Sequence, residues 1–465
     1  MSDVWPVLLG AVLAPALFGA GLVTLGGLSP AAGRRVFAAW SYLVGQFALA
    51  WLTFAWLAAG KPVAGWWLPA AAAAAGLAAW WWGRARTAPA RRARSDRVIA
   101  AVTAGLVVLL LERASAASLH AILLGDEANI WSAKARLLWT SDFGTWLAAD
   151  YARHADYPMF DPLVQTLAFA SAGQELFWEN RLPMLGFAIA LVLLLADVLE
   201  RLLPRGLAVV LLLAFATSAF LAYAPTAMAD VLLAFGLFAA SDALRRWQAT
   251  GEPVWWRLAC VGGAAMLATK NEGAMLLVAV VVAGGVARLV AREPVLRPLR
   301  QAWGWLALPA ATFAAGAWFN AHYALANDLT SATPDGRGLL ARIAHWWPER
   351  TLPVLQYYAG LFADGAATRW LLPAMLLAPL AAGRRAFAAA RAWPWFTVVV
   401  AIAGYMAVFV GTTADQGGPD GPARGLQWHL ATAADRTLLH VLPLAVMALA
   451  LQLARSAPAT SSADA

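Results

Sequence analysis

Two adjacent carboxylates, Asp126 and Glu127, follow Leu124-Gly125 directly behind an apolar run of membrane-spanning length. Ionised groups at that depth are expensive unless they are solvated or used. A carboxylate so placed can accept a proton from a hydroxyl as a general base. A plainer role is also open, because acids in the first turn of a helix complement its dipole. Residues 128–139 are rich in helix formers and predict a helix lying on the membrane, with Trp131, Ala135, Leu138 and Trp139 roughly on one side. The next group is His154-Ala155-Asp156-Tyr157-Pro158-Met159-Phe160-Asp161-Pro162. Two prolines four apart stop a helix and stiffen the backbone, presenting His154, Asp156, Tyr157 and Asp161 on a rigid turn. Phe160, Leu163, Val164 and Leu167 then repeat at i, i+3, i+4 and i+7, the stripe of an interfacial helix.

Further charges stand at the ends of apolar runs. Arg181 opens one run, and Asp230 stands at the head of another. Lys270, Asn271 and Glu272 lie between two apolar runs with no room for a long loop. Lys270 is one of only three lysines in the chain. A span-end ion is a functional hypothesis by default; a structural pair of Lys270 with Glu272 or Asp230 is the alternative. Near the C-terminus, Gln427-Trp428-His429 and Asp435-Arg436 flank the last run, where His429 also fits an ordinary interfacial histidine. The sequence contains no Walker loop, HExxH, CxxC pair, dinucleotide-binding glycine pattern or GxSxG, so nucleotide and zinc hydrolysis have no support.

The elements that must carry these residues follow from composition. Of 465 residues, 62% are hydrophobic and 13% charged, against about 45–50% and about 25% in soluble domains. This excludes a cytosolic enzyme, a secreted domain and a disordered chain, and predicts an all-α polytopic membrane protein. About thirteen apolar runs fall near 4–27, 37–59, 64–83, 98–118, 182–199, 207–223, 230–244, 257–269, 273–288, 302–321, 370–383, 394–412 and 437–453. The segment 84–97 holds six arginines and is expected in the cytoplasm. Alternation from there gathers 21 of the 34 basic residues on that side and all six histidines on or near the other. Three longer outer segments, 119–181, 322–369 and 413–436, mix Pro, Trp and Tyr with charge and suit loops folded onto the interface. Cys260 is the single cysteine, so no intrachain disulfide exists. MSDVW lacks a basic leader region, so no cleaved signal peptide is expected. Thirty-one arginines among the basic residues, with abundant Ala, Gly and Pro, fit a bacterial inner-membrane protein from a GC-rich genome.

The pattern resembles the GT-C superfamily of integral-membrane glycosyltransferases, in the branch of the protein O-mannosyltransferases and the lipid A aminoarabinose transferase. Five elements of 98–290 stand in that family's order: GlyAspGluAlaAsnIleTrpSerAlaLysAlaArgLeu (125–137), TyrProMetPheAspProLeu (157–163), Arg181-Leu182-Pro183, Asp230 with its apolar run, and Thr269-Lys270-Asn271-Glu272-Gly273. Two features depart from it: the proline element lacks adjacent prolines, and three extra spans (1–97) precede the module (98–321), with external loops and further spans in 322–465. The resemblance implies a GT-C-like bundle and a polyprenyl-phosphate sugar as donor, transferred with inversion to a hydroxyl of a glycan, lipid or protein at the outer, periplasmic face. It implies Asp126 as the base with Glu127 beside it, and Lys270, Arg181 and Arg436 as cations for the leaving phosphate. His154, Asp156, Tyr157, Asp230, Glu272 and His429 are further expected substrate contacts. Glu127, or the His154–Asp156 turn, could orient the acceptor or hold a divalent cation, which leaves metal dependence open. The bilayer is an expected partner; nucleic acid is not. Two competing readings are a transporter or flippase of a lipid-linked or charged solute, which calls for inverted repeats and mid-span ions, and a scaffold of an envelope assembly. Convergence of Asp126, Asp156, Asp230 and Lys270 on one outer cavity favours the enzyme.

Overall fold

A computed structural model describes residues 4–84, 96–117, 125–140, 154–292, 303–325, 337–412 and 422–454. The molecule is 85% helical, with no strand among the described residues. The chain begins with α1 (Val4–Leu25), α2 (Arg34–Ala58), α3 (Trp67–Arg84) and α4 (Arg97–Ala117). A π-helical turn, Glu127–Trp131, leads into α5 (Ser132–Thr140), and α6 (Phe160–Ala172) follows. The middle of the chain supplies α7 (Arg181–Leu202), α8 (Arg205–Ala216), α9 (Ala229–Thr250), α10 (Pro253–Thr269), α11 (Glu272–Val290) and α12 (Ala307–His322). It ends with α13 (Leu339–Asp364), α14 (Leu371–Ala382), α15 (Ala389–Gly411) and α16 (Pro422–Leu453).

Seven of these, α1, α2, α4, α7, α11, α15 and α16, contain stretches long and apolar enough to cross a bilayer, which makes the chain an all-α, multi-pass membrane protein. The other apolar runs of the sequence also fall on helices, but these are shorter or, like α9 with Asp242, Arg245 and Arg246 near its end, carry charge. At the centre, α7 and α16 are buried over most of their length, and Leu191, Leu195, Phe235 and Leu442 are fully enclosed. The periphery is apolar in the opposite sense. Val108 on α4, Val278 and Val281 on α11 and Leu380 on α14 are exposed, as a lipid-facing surface requires. Helices α1 and α2 cross at glycines: a Cβ on Gly19 would lie 1.8 Å from the Ser41 carbonyl oxygen, and one on Gly45 1.8 Å from that of Pro15. Small residues at such crossings let backbones touch where lipid offers no hydrophobic drive for association.

Charges collect at the two ends of the bundle. At one end, Arg35 binds Glu200 at 2.6 Å, Arg205 binds Asp96 at 2.6 Å, and Arg246 bridges Asp197 at 2.8 Å and Asp242 at 2.6 Å. These pairs join the start of α2 to the C-terminal end of α7, the approach to α4 to the start of α8, and the C-terminal ends of α7 and α9 to each other, all placed on one side by the arginine bias. The run 85–95 lies outside the described residues, as do 118–124 and 141–153 of the first outer segment.

Two outer segments hold more helix than their polarity suggests. Within 322–369, α13 continues for 26 residues through Pro348 and Pro353; Val354 and Tyr358, one turn apart, pack inward. Helix α16 starts at Pro422 instead of near 437, with proline in the first position, where its missing N–H has no partner to lose. It therefore carries Asp435 and Arg436 on a helix. The short helix after Asp126 forms as its composition predicts, but Trp131, Ala135 and Leu138 are buried within the protein. The stripe Phe160, Leu163, Val164 and Leu167 is buried likewise.

Candidate active site

At the opposite end from the arginine network, residues from distant stretches meet. Glu127 is fully buried in its π-helical turn and takes Arg181 in a two-pronged pair, Oε1 to Nε at 2.6 Å and Oε2 to Nη2 at 2.9 Å. Its Oε1 also accepts the Ala227 N–H at 2.7 Å. The Glu127 side chain thus locks the start of the first outer segment to the start of α7 and to the approach to α9. Asp126 makes no helix-capping bond with its side chain. It instead meets Arg436 of α16, Oδ2 to Nη1 at 2.5 Å, and stays 40% exposed. Among the described residues, the Arg436 Nε has no hydrogen-bond partner.

Asp230, in the first turn of α9, receives Lys270 Nζ at 3.1 Å and His440 Nε2 at 2.8 Å on the same oxygen, Oδ1. Lys270 also stands 3.4 Å from Glu272 in the first turn of α11. Both carboxylates sit at helix N-termini, where the backbone dipole favours negative charge. Lys270 is an extended residue between α10 and α11. The turn closes because residue 273 is glycine: a Cβ there would lie 2.0 Å from the Met266 carbonyl oxygen. This gives the Thr-Lys-x-x-Gly element a steric reason.

Lys270 also lines a cavity of about 510 Å³ between α2, the 156–160 turn, the α10–α11 junction and α12. Phe47, Trp51 and Phe54 of α2 and Phe313 of α12 make it apolar, and Asp156, Lys270, Asn271 and Asn320 supply its polar groups. Phe313 is exposed, so the cavity borders the lateral face of the bundle. Asn271 Nδ2 donates to Asp156 Oδ2 at 2.6 Å, and Asn320 Nδ2 to the Asp156 carbonyl at 3.3 Å. Asp156 and Lys270 therefore line the cavity. Asp126 and Asp230 are not among its lining residues: Asp230 is joined to it through its ion pair with Lys270, whereas Asp126 pairs with Arg436, which does not line it either, so the expected convergence of the four is met only in part. Tyr157 lines it too and stacks 4.8 Å from His154, which is exposed in the left-handed region at φ 51°. His429 contacts Phe409, ring centroids 4.9 Å apart.

Sequence reasoning passed over several buried polar residues. Gln165 Oε1 accepts from Ser132 and Asn180 at 2.9 and 2.7 Å, while its Nε2 donates to Asp161 Oδ1 and the Ala227 carbonyl at 2.6 and 3.0 Å. Lys134 donates to the His154 and Tyr157 carbonyls and so pins the cavity-lining turn. Burial pulls the Lys134 ammonium down to about 7, against the fields of Asp156 and Asp161. Burial pushes the Asp161 carboxyl up to about 8, opposed by the Gln165 bond. The signal available was position: Gln165 lies four residues from Asp161 on one helix face.

The Asp161 shift has a signed consequence. The folded state keeps the proton that the unfolded chain releases near 3.8. This contribution to stability is complete below that value and is lost as pH rises through about 8. Asp161→Asn removes it, so the melting temperature of the variant in detergent should fall less between pH 5 and 8 than that of the wild type. Parallel profiles would refute the assignment.

Among the described residues, no group of three or more His, Cys, Asp or Glu side chains could hold a metal ion. No protein-family model, curated protein or solved structure matches the chain.

Proposed function

We propose that this protein is a membrane glycosyltransferase with a GT-C-like bundle of about thirteen spans, moving a sugar from a polyprenyl-phosphate donor to an acceptor hydroxyl at the periplasmic face of a bacterial inner membrane. One observation carries the reading. Charged residues from five separated stretches form ion pairs at one end of the bundle, and one of them, Lys270, also lines an apolar cavity. A lipid-linked sugar phosphate needs that combination, an apolar bed at the bundle's flank and cations where it ends.

In the reaction, Asp126 accepts the hydroxyl proton while the acceptor oxygen attacks the anomeric carbon from the face opposite the phosphate. The carbon–oxygen bond to phosphate breaks, polyprenyl phosphate leaves, and the configuration inverts. Lys270 and Arg436 stabilise the charge on the leaving oxygen; the free Arg436 Nε is a donor available for it. Glu127, saturated by Arg181 and Ala227, holds Asp126 in place.

The direct test incubates membranes containing the protein with radiolabelled polyprenyl-phosphate sugars and follows the label by thin-layer chromatography. The expected result is label leaving the lipid only when the protein is present. Full retention of label across a panel of donors and acceptor extracts would refute the reading. Sidedness is tested in a Cys260→Ser background in intact spheroplasts. An impermeant maleimide should label Asp150→Cys and spare Ala90→Cys, both outside the described residues. The reverse pattern would put the site on the cytoplasmic face.

A further inference from the structure

His440 stands in an otherwise apolar stretch of α16, Leu438 to Leu451. Its ring is 1% exposed, and both nitrogens are bonded. Nε2 meets Asp230 Oδ1 at 2.8 Å, and Nδ1 meets the hydroxyl of Tyr405 on α15 at 2.6 Å. The direction of this chain follows from its far end. Asp230 Oδ1 already accepts from Lys270 and, as part of a carboxylate, can only accept. Nε2 must therefore carry a proton and donate. In neutral imidazole the other nitrogen is then an acceptor, so the Tyr405 O–H donates to Nδ1. Tyr405, His440, Asp230 and Lys270 form one hydrogen-bonded line across α15, α16, α9 and the α10–α11 junction, with donation converging on Asp230 from both sides. It ends on the ammonium that lines the cavity.

We infer that His440 is a positioning residue. It fixes the Asp230 carboxylate, and through it sets the Lys270 ammonium at the place where the headgroup phosphate binds; this rests on the glycosyltransferase reading. The geometry supplies the reason. Among the described residues, Asp230 Oδ2 has no hydrogen-bond partner, so the bonds seen hold the carboxylate from one oxygen, through Lys270 and His440. With His440 absent, the Lys270 bond alone would orient it. Tyr405 matters for a separate reason: its hydroxyl satisfies the buried Nδ1 and fixes the plane of the ring, so that Nε2–H points at Asp230. Without that hydroxyl, the ring is held at one nitrogen only and Nδ1 is left unsatisfied.

The test uses the full-length protein in nanodiscs, with undecaprenyl phosphate as the probe and His440→Gln, His440→Leu and Tyr405→Phe as variants. Dissociation constants come from native mass spectrometry, with donor KM, kcat and melting temperature measured beside them. His440→Leu should raise the dissociation constant and the donor KM by roughly tenfold or more, as for a lost hydrogen bond to a charge, with kcat within about threefold. His440→Gln keeps an N–H for Asp230 and an oxygen near Tyr405, and should stay within about threefold of wild type. Tyr405→Phe should fall between the two. Unchanged affinity in His440→Leu, or His440→Gln failing as badly as His440→Leu, overturns the inference. If His440→Leu does not fold, Tyr405→Phe decides, and wild-type affinity in it overturns the inference as well. Binding by the wild type that is indifferent to all three variants sinks only the positioning role. A wild type that does not bind undecaprenyl phosphate takes down the donor assignment together with it.

Discussion

Asp126→Asn is expected to lower transfer by roughly 10²–10⁴-fold, the usual range for loss of a general base, with little change in melting temperature. Its neighbour should behave the other way round. Asp126 is 40% exposed and Arg436 17%, so water reaches the carboxylate, and the pair stands nearer to exposed pairs, which contribute about 0–1 kcal/mol, than the one its neighbour makes. Asn keeps an oxygen for the Arg436 N–H and loses only basicity and charge. Glu127 is fully buried and holds a guanidinium that is 8% exposed. Glu127→Gln removes the charge that Arg181 meets in a two-pronged pair, and removing one partner of a buried pair costs about 3–5 kcal/mol. Its loss should appear as a fall in melting temperature and in the yield of folded protein. Two adjacent carboxylates would then be told apart by one experiment, turnover and thermal stability on both variants. Near-wild-type turnover in Asp126→Asn would remove the base assignment. Equal thermal losses in the two would show that Asp126 is also a structural ion.

The difference between those acids is of a kind that sequence does not carry. Composition fixes the membrane class, because no soluble fold can hide so many apolar side chains, and runs of bilayer length locate the helices. Pairing is another matter. That Glu127 meets Arg181 is decided by how α7 packs, and that Asp126 meets Arg436, 310 positions away, depends on α16 beginning early enough to present the arginine. The proline at 422 reads as a breaker in sequence and is an initiator in the helix. In α13, Pro348 and Pro353 lie inside the helix, in a segment whose mixture of Pro, Trp and Tyr with charge suits a loop. Lys270 was legible, since a lysine between two apolar runs is costly without a use. Its neighbour Gly273 was legible only as a pattern; the Met266 carbonyl supplies its cause. His440 and Gln165 were not singled out because a lone polar residue in an apolar run gives no hint of its partner until the helices are packed. The cavity wall from α2 was equally hidden, since Phe47, Trp51 and Phe54 look like any aromatic residues of a span.

Lys270→Met is expected to weaken binding of undecaprenyl phosphate by about 1.5–3 kcal/mol, the range for one lost charged hydrogen bond, and Lys270→Arg to retain part of the activity. A Lys–phosphate contact is a point-charge interaction, which Arg can partly replace with its wider planar fork. The competing account is a structural ion pair, and the geometry makes it a serious one: Asp230 at 3.1 Å and Glu272 at 3.4 Å both face the ammonium. If holding them is all that Lys270 does, its removal leaves buried carboxylates uncompensated, at about 3–5 kcal/mol in a fully buried pair. The two acids would not suffer alike. Asp230 keeps the His440 bond, whereas among the described residues no other side chain pairs with Glu272. The uncompensated charge is therefore chiefly that of Glu272, and the double variant Lys270→Met with Glu272→Gln should recover most of the lost stability. Donor affinity and melting temperature in detergent, measured on the two single variants and the double, separate the accounts. Affinity lost at constant melting temperature, and still lost in the double variant, assigns Lys270 to the phosphate. A melting temperature that falls in Lys270→Met, with both stability and affinity returning in the double variant, assigns it to the ion pair and leaves Arg436 as the cation for the leaving group.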